Sequence, residues 1–453
     1  MLAKKHWLNT SVKQLLNKMD TLELKTLEQH SLRFRLVNEA HIRPYIQVKL
    51  PCRASHLAFT TRNIPLSHEH THIKKLCEHY GVVPPVENSK HYSENFRDFL
   101  FKWERHNEFS TYTFLRQDEE NIPFDRPAIK EVPENWLAEL NYKLLVALHL
   151  VILPRTTTPP TQTDLHRYFS ADSLVGSSVI DEAALVWTDF RIHSDGFSRM
   201  LILDRSLHAR QTGRLLQELL EMESYRILAL LGFPLAESLN PMLGKLDQRL
   251  TRLSRQMVSI STLEEEHSLL SELANLEAEI EKLNSETAYR FGATRAYHSI
   301  VEHRIVNLKE VELGGLQTLS SFLERRFLPA MNTCESISSR LEHLSRRVAR
   351  ASQILSARVD LALESQNRDL LHSMDRRAHY QFRLQETVEG LSIAAISYYV
   401  VGLVNYVLKG IESAGYQINP EAVLGGTIPI VIASVWFTVR RIKNKISKSN
   451  PSE

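Results

Sequence analysis

Cysteine is scarce in this chain: three residues of 453, Cys52, Cys77 and Cys334, lie far apart, and any single pairing leaves one over. That argues against a disulfide scaffold and fits a reducing compartment, with a buried small side chain the ordinary reading of each thiol. Charge imbalance is missing as well. Lys and Arg number 55 against 53 Asp and Glu, a formal net charge of +2, so no whole-surface nucleic-acid footprint is expected and only local basic clusters need interpreting. The opening MLAKKHWLNTSVKQLLNKMD has early lysines but neither the apolar core nor the small-residue cleavage site of a secretory signal, and none is expected. Also absent are G-x-x-x-x-G-K-[ST], G-x-G-x-x-G after a strand, G-x-S-x-G and paired CxxC. Nucleotide binding and serine hydrolysis therefore have nothing to rest on, and the expectation is a protein that is not an enzyme and carries no cofactor.

Chain breakers are unevenly spread. Of 17 prolines, 13 fall at or before Pro241, whereas residues 330–389 hold neither proline nor glycine. The early part reads as loop-rich and globular, the later part as long helices. Within 1–240, β-rich runs stand at 54–61, 109–116, 144–153, 173–180, 183–192 and 197–204, with HSDG (193–196) a hairpin turn between the last two. Helices are expected at 67–81, closed by Gly81, at 91–109, and from about 207 to 231, stopped near Gly232 and Pro234. The sum is a mixed α/β domain over 1–240.

From Leu246 the spacing changes. Leu246, Leu250, Leu253, Met257 and Ile260 recur at steps of four and three; Leu269, Leu273, Leu276, Ile280 and Leu283 repeat the pattern after a phase slip. A second seam runs Cys334, Ile337, Leu341, Leu344, Val348, Ala351, Leu355. Gly314-Gly315 stands between the two, so an antiparallel coiled-coil hairpin within 241–386 competes with two coiled coils formed between chains. Arms of similar length with glycines near their midpoint favour the hairpin. At 1.5 Å per residue, 330–389 would run about 90 Å as one helix.

Two charge-free runs follow, 390–408 and 422–439. Crossing about 30 Å of hydrocarbon takes some twenty apolar helical residues, because only an internally hydrogen-bonded backbone avoids a cost of several kcal/mol per bare polar group. The reading is a transmembrane hairpin: helix 387–409, external loop 410–421, helix 422–439 and a basic tail 440–453. Arg440, Arg441, Lys443, Lys445 and Lys448 follow the second run and Arg376, Arg377 and Arg383 precede the first, against Lys409 in the loop, which puts both termini in the cytoplasm. The tail lacks interleaved aromatics for base stacking and suits anionic lipid headgroups, so the bilayer is a partner and nucleic acid is not. Asn405 is the polar position to watch in the first run: its amide seeks either a partner on another helix or a water-lined path. No Asp, Glu, Lys or Arg interrupts either run, which weakens a proton-coupled transporter.

Two motifs are dense in functional side chains. HEHTH at 68–72 matches H-E-x-x-H, which would put His68 and His72 one turn apart on zinc with Glu69 as base. Its context is unfavourable: Ser67 looks like an N-cap that places the motif in a helix's first turn, and His79, Glu87 and Glu94 are only guesses for a third ligand, so no metal is expected. In RLVNEAHIRPY (35–45), an extended backbone would put Glu39, His41 and Arg43 on one face beside Asn38, as an anion-facing patch or as a network tying the segment to its domain.

HSLRFRLVNEAHIRP, SHLAFTT, FSTYTFLR, the block from SLVGSSVIDEAALVWTDF to RIHSDGFSRMLILD, and RLQETVEGLSIAAISYYVVGLVNYVLKG together resemble an uncharacterised bacterial family of membrane-anchored proteins with a domain of unknown function. The resemblance spans nearly the whole chain and implies bacterial origin and a two-helix C-terminal anchor; it supplies no catalytic residues, and the expected location is the bacterial inner membrane. The layout is also similar to that of CorA-type divalent-cation channels, although their Gly-Met-Asn at the outer end of the first span has no equivalent in Gly402-Leu403-Val404-Asn405. The leading expectation is an oligomeric, two-span scaffold serving cytoplasmic protein partners. The alternative is an oligomeric divalent-cation channel or transporter.

Overall fold

A computed structural model describes residues 30–34, 36–37, 48–117, 122–413 and 420–449. An N-terminal α/β sheet region is followed by long helices, and the chain divides into two compact units: Met1–Arg252 with Asn275–Val348, and Leu253–Ala274 with Ala349–Glu453.

The first unit is built on one sheet. Its strands in chain order are β1 (Cys52–Thr60), β2 (His91–Phe96), β3 (Phe99–Arg105), β4 (Phe109–Gln117), β5 (Lys143–Leu153), β6 (Val175–Val179), β7 (Ala184–Thr188), β8 (Ser198–Asp204) and β9 (Val311–Glu312). Across the sheet they lie in the order β2-β3-β4-β1-β5-β8-β7-β6-β9, with β5 and β8 parallel and the other neighbours antiparallel. Each β-rich run expected from the sequence became a strand. The helix expected over 91–109 did not form: β2 and β3 make a hairpin there, with Phe96 paired to Phe99. Phe99, Phe101 and Trp103 alternate with Leu100, Lys102 and Glu104, and a period of two sorts residues between the faces of a sheet.

The two faces have different chemistry. On one, Leu57, Phe59, Phe101, Trp103, Tyr112 and Phe114 pack with Trp136 and with Ile73, Leu76 and Cys77 of helix α1 (Leu66–Tyr80). Aromatic rings dominate this core, Phe101 and Phe114 stacking with centroids 5.1 Å apart. Gly81 ends α1 in the left-handed region (φ 67°), its N–H donating to the carbonyls of Cys77 and Glu78, as expected of a C-cap. The start differs from expectation: extended Pro65 precedes the helix and Ser67 lies inside it. Helix α2 (Ala209–Leu230) belongs to the other face, where its Leu228 joins Ala58, Phe109 and Val146.

Three long helices follow: α3 (Phe233–Ser259), α4 (Leu263–Leu308) and α5 (Leu328–Ser413). Within the first unit, Arg249 meets Glu279 and Arg295 meets Glu335, so α4 runs against both neighbours. Asn240 meets Arg340 and Asp247 meets Arg347, two contacts seven residues apart on each helix, so α3 and α5 run side by side in one direction. Leu246, Leu250, Leu276, Ile280, Cys334, Ile337, Leu341, Leu344 and Val348 are buried. The heptad positions are thus filled within one chain. In the second unit the same holds for Leu253, Met257, Leu269, Leu273, Ala351, Leu355 and Val359, and Arg358 donates to the carbonyl of Met257 at 2.7 Å. Gly314 and Gly315, both at positive φ (57° and 75°), make the turn between α4 and α5.

Among the described residues, three helical stretches are apolar enough by length and composition to cross a membrane, within Ala209–Ser259, Leu319–Ile411 and Val423–Ile442. The first spends its apolar residues on the core: Leu215, Leu216, Leu219 and Leu228 of α2 are buried. In the other two the large side chains are bare, among them Leu391, Leu403, Ile430 and Phe437. Helix α6 (Pro420–Ser449) holds the third stretch. Ile393, Ser397, Val400, Val404 and Leu408 of α5 form one covered stripe at helical spacing, and Leu424, Thr427, Val431, Val435 and Val439 of α6 form another.

Candidate functional site

The α2-facing side of β1, β3 and β4 is polar where a core is ordinarily apolar. His56, Lys102, Glu104, Thr111 and Thr113 alternate with the aromatic residues of the opposite face, and all but Glu104 are less than a tenth exposed. With Gln217, Glu221 and Ser224 of α2 they line a cavity of about 40 Å³. That is roughly the share of one water molecule in the liquid, far below the volume of an organic substrate.

His56 is the most constrained group. Its Nε2 lies 2.8 Å from Ser224 Oγ and its Nδ1 lies 2.8 Å from Thr113 Oγ1. Ser224 donates its hydroxyl proton to the Leu220 carbonyl, so it accepts from His56 Nε2–H, and Nδ1 in turn accepts from Thr113. Burial, and then the nearby Lys102 ammonium, hold the ring down to a pKa of about 3. A neutral imidazole with both nitrogens committed is a structural bridge between sheet and helix. Beside it Lys102 and Glu104 form an ion pair at 3.0 Å. Gln217 donates to Glu221, whose Oε2 also takes Arg304 Nε and Nη2 from α4 at 3.0 and 2.6 Å. Gln217 Oε1 is buried without a partner and faces the cavity, where a water would satisfy it.

A second buried histidine, His149 on β5, stacks on Phe197 with centroids 3.8 Å apart and bonds Ser55 Oγ through Nδ1 at 3.0 Å. Ser55 Oγ also accepts from the Ile129 N–H. Burial holds His149 down to about 4, Asp195 opposing and Arg199 reinforcing.

The H-E-x-x-H motif does not converge on a metal. Glu69 is fully buried and accepts from Arg105, from Trp103 Nε1 at 3.3 Å and from Tyr112 OH at 3.1 Å. His72 lies flat against Trp136, centroids 4.2 Å apart, its pKa held down to about 4 by burial, while His68 is exposed. His79, Glu87 and Glu94 are exposed, and among the described residues no group of three His, Cys, Asp or Glu could hold a metal ion. All three thiols are buried, and burial pushes Cys52 up to about 12, Cys334 to about 11, and Cys77 upward. They are protonated, inert core residues.

Asn38, Glu39, His41 and Arg43 lie outside the described residues. Asn405 is half-covered beside the α5 stripe. Arg440 is exposed with its guanidinium over the Trp436 ring at 4.8 Å, Arg441 is exposed, and Lys443, Lys445 and Lys448 belong to the last turns of α6.

Compared with known families, residues 28–446 match the one described as Protein of unknown function (DUF3422). The chain belongs to the DUF3422 family. No curated protein matches it. The DUF3422 match takes in the sheet, the long helices and both apolar segments, so these parts belong together in the family. The DUF3422 cavity was not foreseen. Its signal was present in FLFKWER and HLAFT, where Lys102 and Glu104, and His56, Ala58 and Thr60, alternate with large apolar residues, but that pattern ordinarily marks a solvated face.

Proposed function

We propose that this DUF3422 protein is a non-enzymatic, two-span protein of the bacterial inner membrane, with both termini in the cytoplasm, that self-associates and scaffolds cytoplasmic protein partners. The carrying observation is α5: one unbroken helix of 86 residues leads from buried heptad positions into the charge-free segment 390–408, where large apolar side chains are bare. Water does not tolerate such a surface, and lipid requires it. The covered stripes of α5 and α6 support a hairpin in which the two helices pack on each other and offer their remaining faces to hydrocarbon. Basic residues on one side of both segments support the orientation. The small cavity, the committed nitrogens of His56 and the protonated thiols support a role without chemistry.

The test is threefold: sedimentation of the chain with alkali-washed membranes, reporters fused to each terminus, and oligomeric state in mild detergent. A chain left in the supernatant, or a C-terminal reporter active outside the cytoplasm, overturns the reading.

The unbroken passage of α5 from an α/β unit into the first apolar segment also favours a second reading, an oligomeric CorA-like divalent-cation channel or transporter with Asn405 on its path. Uptake of magnesium, cobalt or nickel into proteoliposomes that is reduced by Asn405→Ala supports it. No flux removes it.

A further inference from the structure

We infer that residues 361–388 of α5 pair in parallel with the same segment of a second copy of this chain. The inference rests on the anchored reading above and names where the copies meet. The long seams, the obvious places for self-association, are already filled: in the second unit Ala351, Leu355 and Val359 of α5 are buried, as are Leu253 and Met257 of α3 and Leu269 and Leu273 of α4. That cover stops at a definite point. Helix α3 ends at Ser259, α4 begins at Leu263, and Arg358 reaches the Met257 carbonyl beside this turn. Helix α5 continues for more than fifty residues.

Beyond Val359 the apolar residues do not stop. Leu361, Leu363, Leu370, Leu371, Met374, Phe382, Leu384 and Val388 are all exposed, most by more than half. Five of them, Leu363, Leu370, Met374, Leu384 and Val388, share an ordered spacing. Steps of four from Leu355 to Val359 to Leu363 shift the phase, after which 363, 367, 370, 374, 377, 381, 384, 388 and 391 alternate steps of four and three, giving four heptads. Six of these nine positions are Leu, Met or Val. Arg368, Asp375, Arg376, His379, Arg383 and Glu386 fall on the opposite side of the helix, so the stripe is free of charge except for Arg377.

A seam with a 3.5-residue repeat is matched by another helix with the same repeat over the same length, and this one continues an interface of that kind within the chain. Anchoring supplies such a helix. Every copy enters the bilayer through 390–408 in the same direction, so residue 370 of one copy stands at the height of residue 370 of the next. Parallel pairing in register then sets Leu363, Leu370 and Leu384 against their counterparts. It also sets Asn367 against Asn367, where two amides bond across an apolar seam and fix register and strand number. Lipid is a poor occupant, because a helix continuous with a membrane span stands away from the surface instead of lying in it. Arg377 opposes its own charge in the pair and keeps the association moderate.

The experiment is disulfide trapping in native membranes of the full chain, whose own three cysteines are buried. Leu370→Cys and Leu384→Cys, on the stripe, are compared with His372→Cys and Arg383→Cys, off it; all four sites are exposed, so the fold tolerates them. The expected result is several-fold more covalent dimer from the stripe positions, lost when Met374→Glu is added and increased by Arg377→Leu. Equal yields around the helix, no dimer at 370 and 384, or an adduct within one chain or with another protein overturns the inference. Membrane sedimentation of the same samples separates the two failures. A sedimenting oligomer without stripe cross-links sinks this inference alone, whereas a chain in the supernatant sinks the anchored reading with it.

Discussion

His56 is neutral because protonation would strand a charge between two hydroxyls under α2, and that makes it an acid-sensitive fastener. Its folded pKa of about 3 lies below the ordinary imidazole value of 6.5, so between these the unfolded chain binds the extra proton. Its stabilising contribution is complete above about pH 6.5 and is lost as pH falls toward 3, amounting to about 2 kcal/mol between pH 7 and pH 5. His72 and His149, both held down to about 4 by burial, act in the same direction. Denaturant midpoints of the detergent-solubilised chain at the two pH values are expected to differ, and His56→Gln, which keeps polar atoms but cannot titrate, to shrink the difference by about that amount. An unchanged difference would show that His56 is not the titrating group. Glu69 makes the complementary case. Removing one partner of a buried pair costs about 3–5 kcal/mol, so Glu69→Ala, which strands Arg105, is expected to lower stability by that much while zinc content stays at background in both proteins. The motif's residue types were plain in the sequence. What they face was not, because burial of Glu69 depends on Trp103 and Tyr112 arriving from strands more than thirty residues away.

At the scale of elements, close approach at helix junctions is the sensitive feature. Gly232, between α2 and α3, lies against Thr294 of α4, whose Oγ1 bonds the Ala229 carbonyl at 3.0 Å; an added methyl would collide with that hydroxyl. Gly232→Ala is therefore expected to cost about 1–3 kcal/mol through overpacking, read as a shift in thermal midpoint. In the helical seams, Leu344→Ala is expected to cost about 2–5 kcal/mol and Arg347→Ala, at a pair more than a third exposed, under about 1 kcal/mol. If the two substitutions cost the same, the seam is not what holds these helices. The seams were legible because a heptad is local: its positions name one another within a single helix. The hairpin of β2 and β3 was not. Tyr92, Phe96, Phe99 and Trp103 step by four, three and four, which imitates one face of a helix, and the Arg97-Asp98 turn carries no glycine, proline or asparagine to break the pattern. Phe101, out of phase with that face, was the contrary sign. The two-residue strand β9 offered no sign at all, since it exists only by pairing with β6. The cavity shares that fate, because whether a polar strand face meets water or α2 is settled by a helix about a hundred residues further on.

For the molecule as a whole, water and hydrocarbon give opposite answers to one substitution. Leu403 on α5 and Ile430 on α6 are each about two-thirds exposed, at 65 and 68 %. If these faces met water, lysine at either site would be a surface change worth within about 0.5 kcal/mol and would improve solubility. In the middle of a bilayer the same lysine raises the free energy of insertion by about 2.5–3.5 kcal/mol, and a pair of them by roughly twice that. Leu403→Lys with Ile430→Lys is therefore expected to reduce sharply the fraction of chain that survives an alkaline membrane wash, while Val404→Leu, on the covered stripe, leaves it unchanged. The covered stripe supplies the internal control, because Val404 is already partly covered within the chain. Undiminished retention of the double-lysine chain would mean that these helices find their cover in protein, and the parallel pairing of residues 361–388, which depends on every copy entering lipid at one height, would lose its alignment.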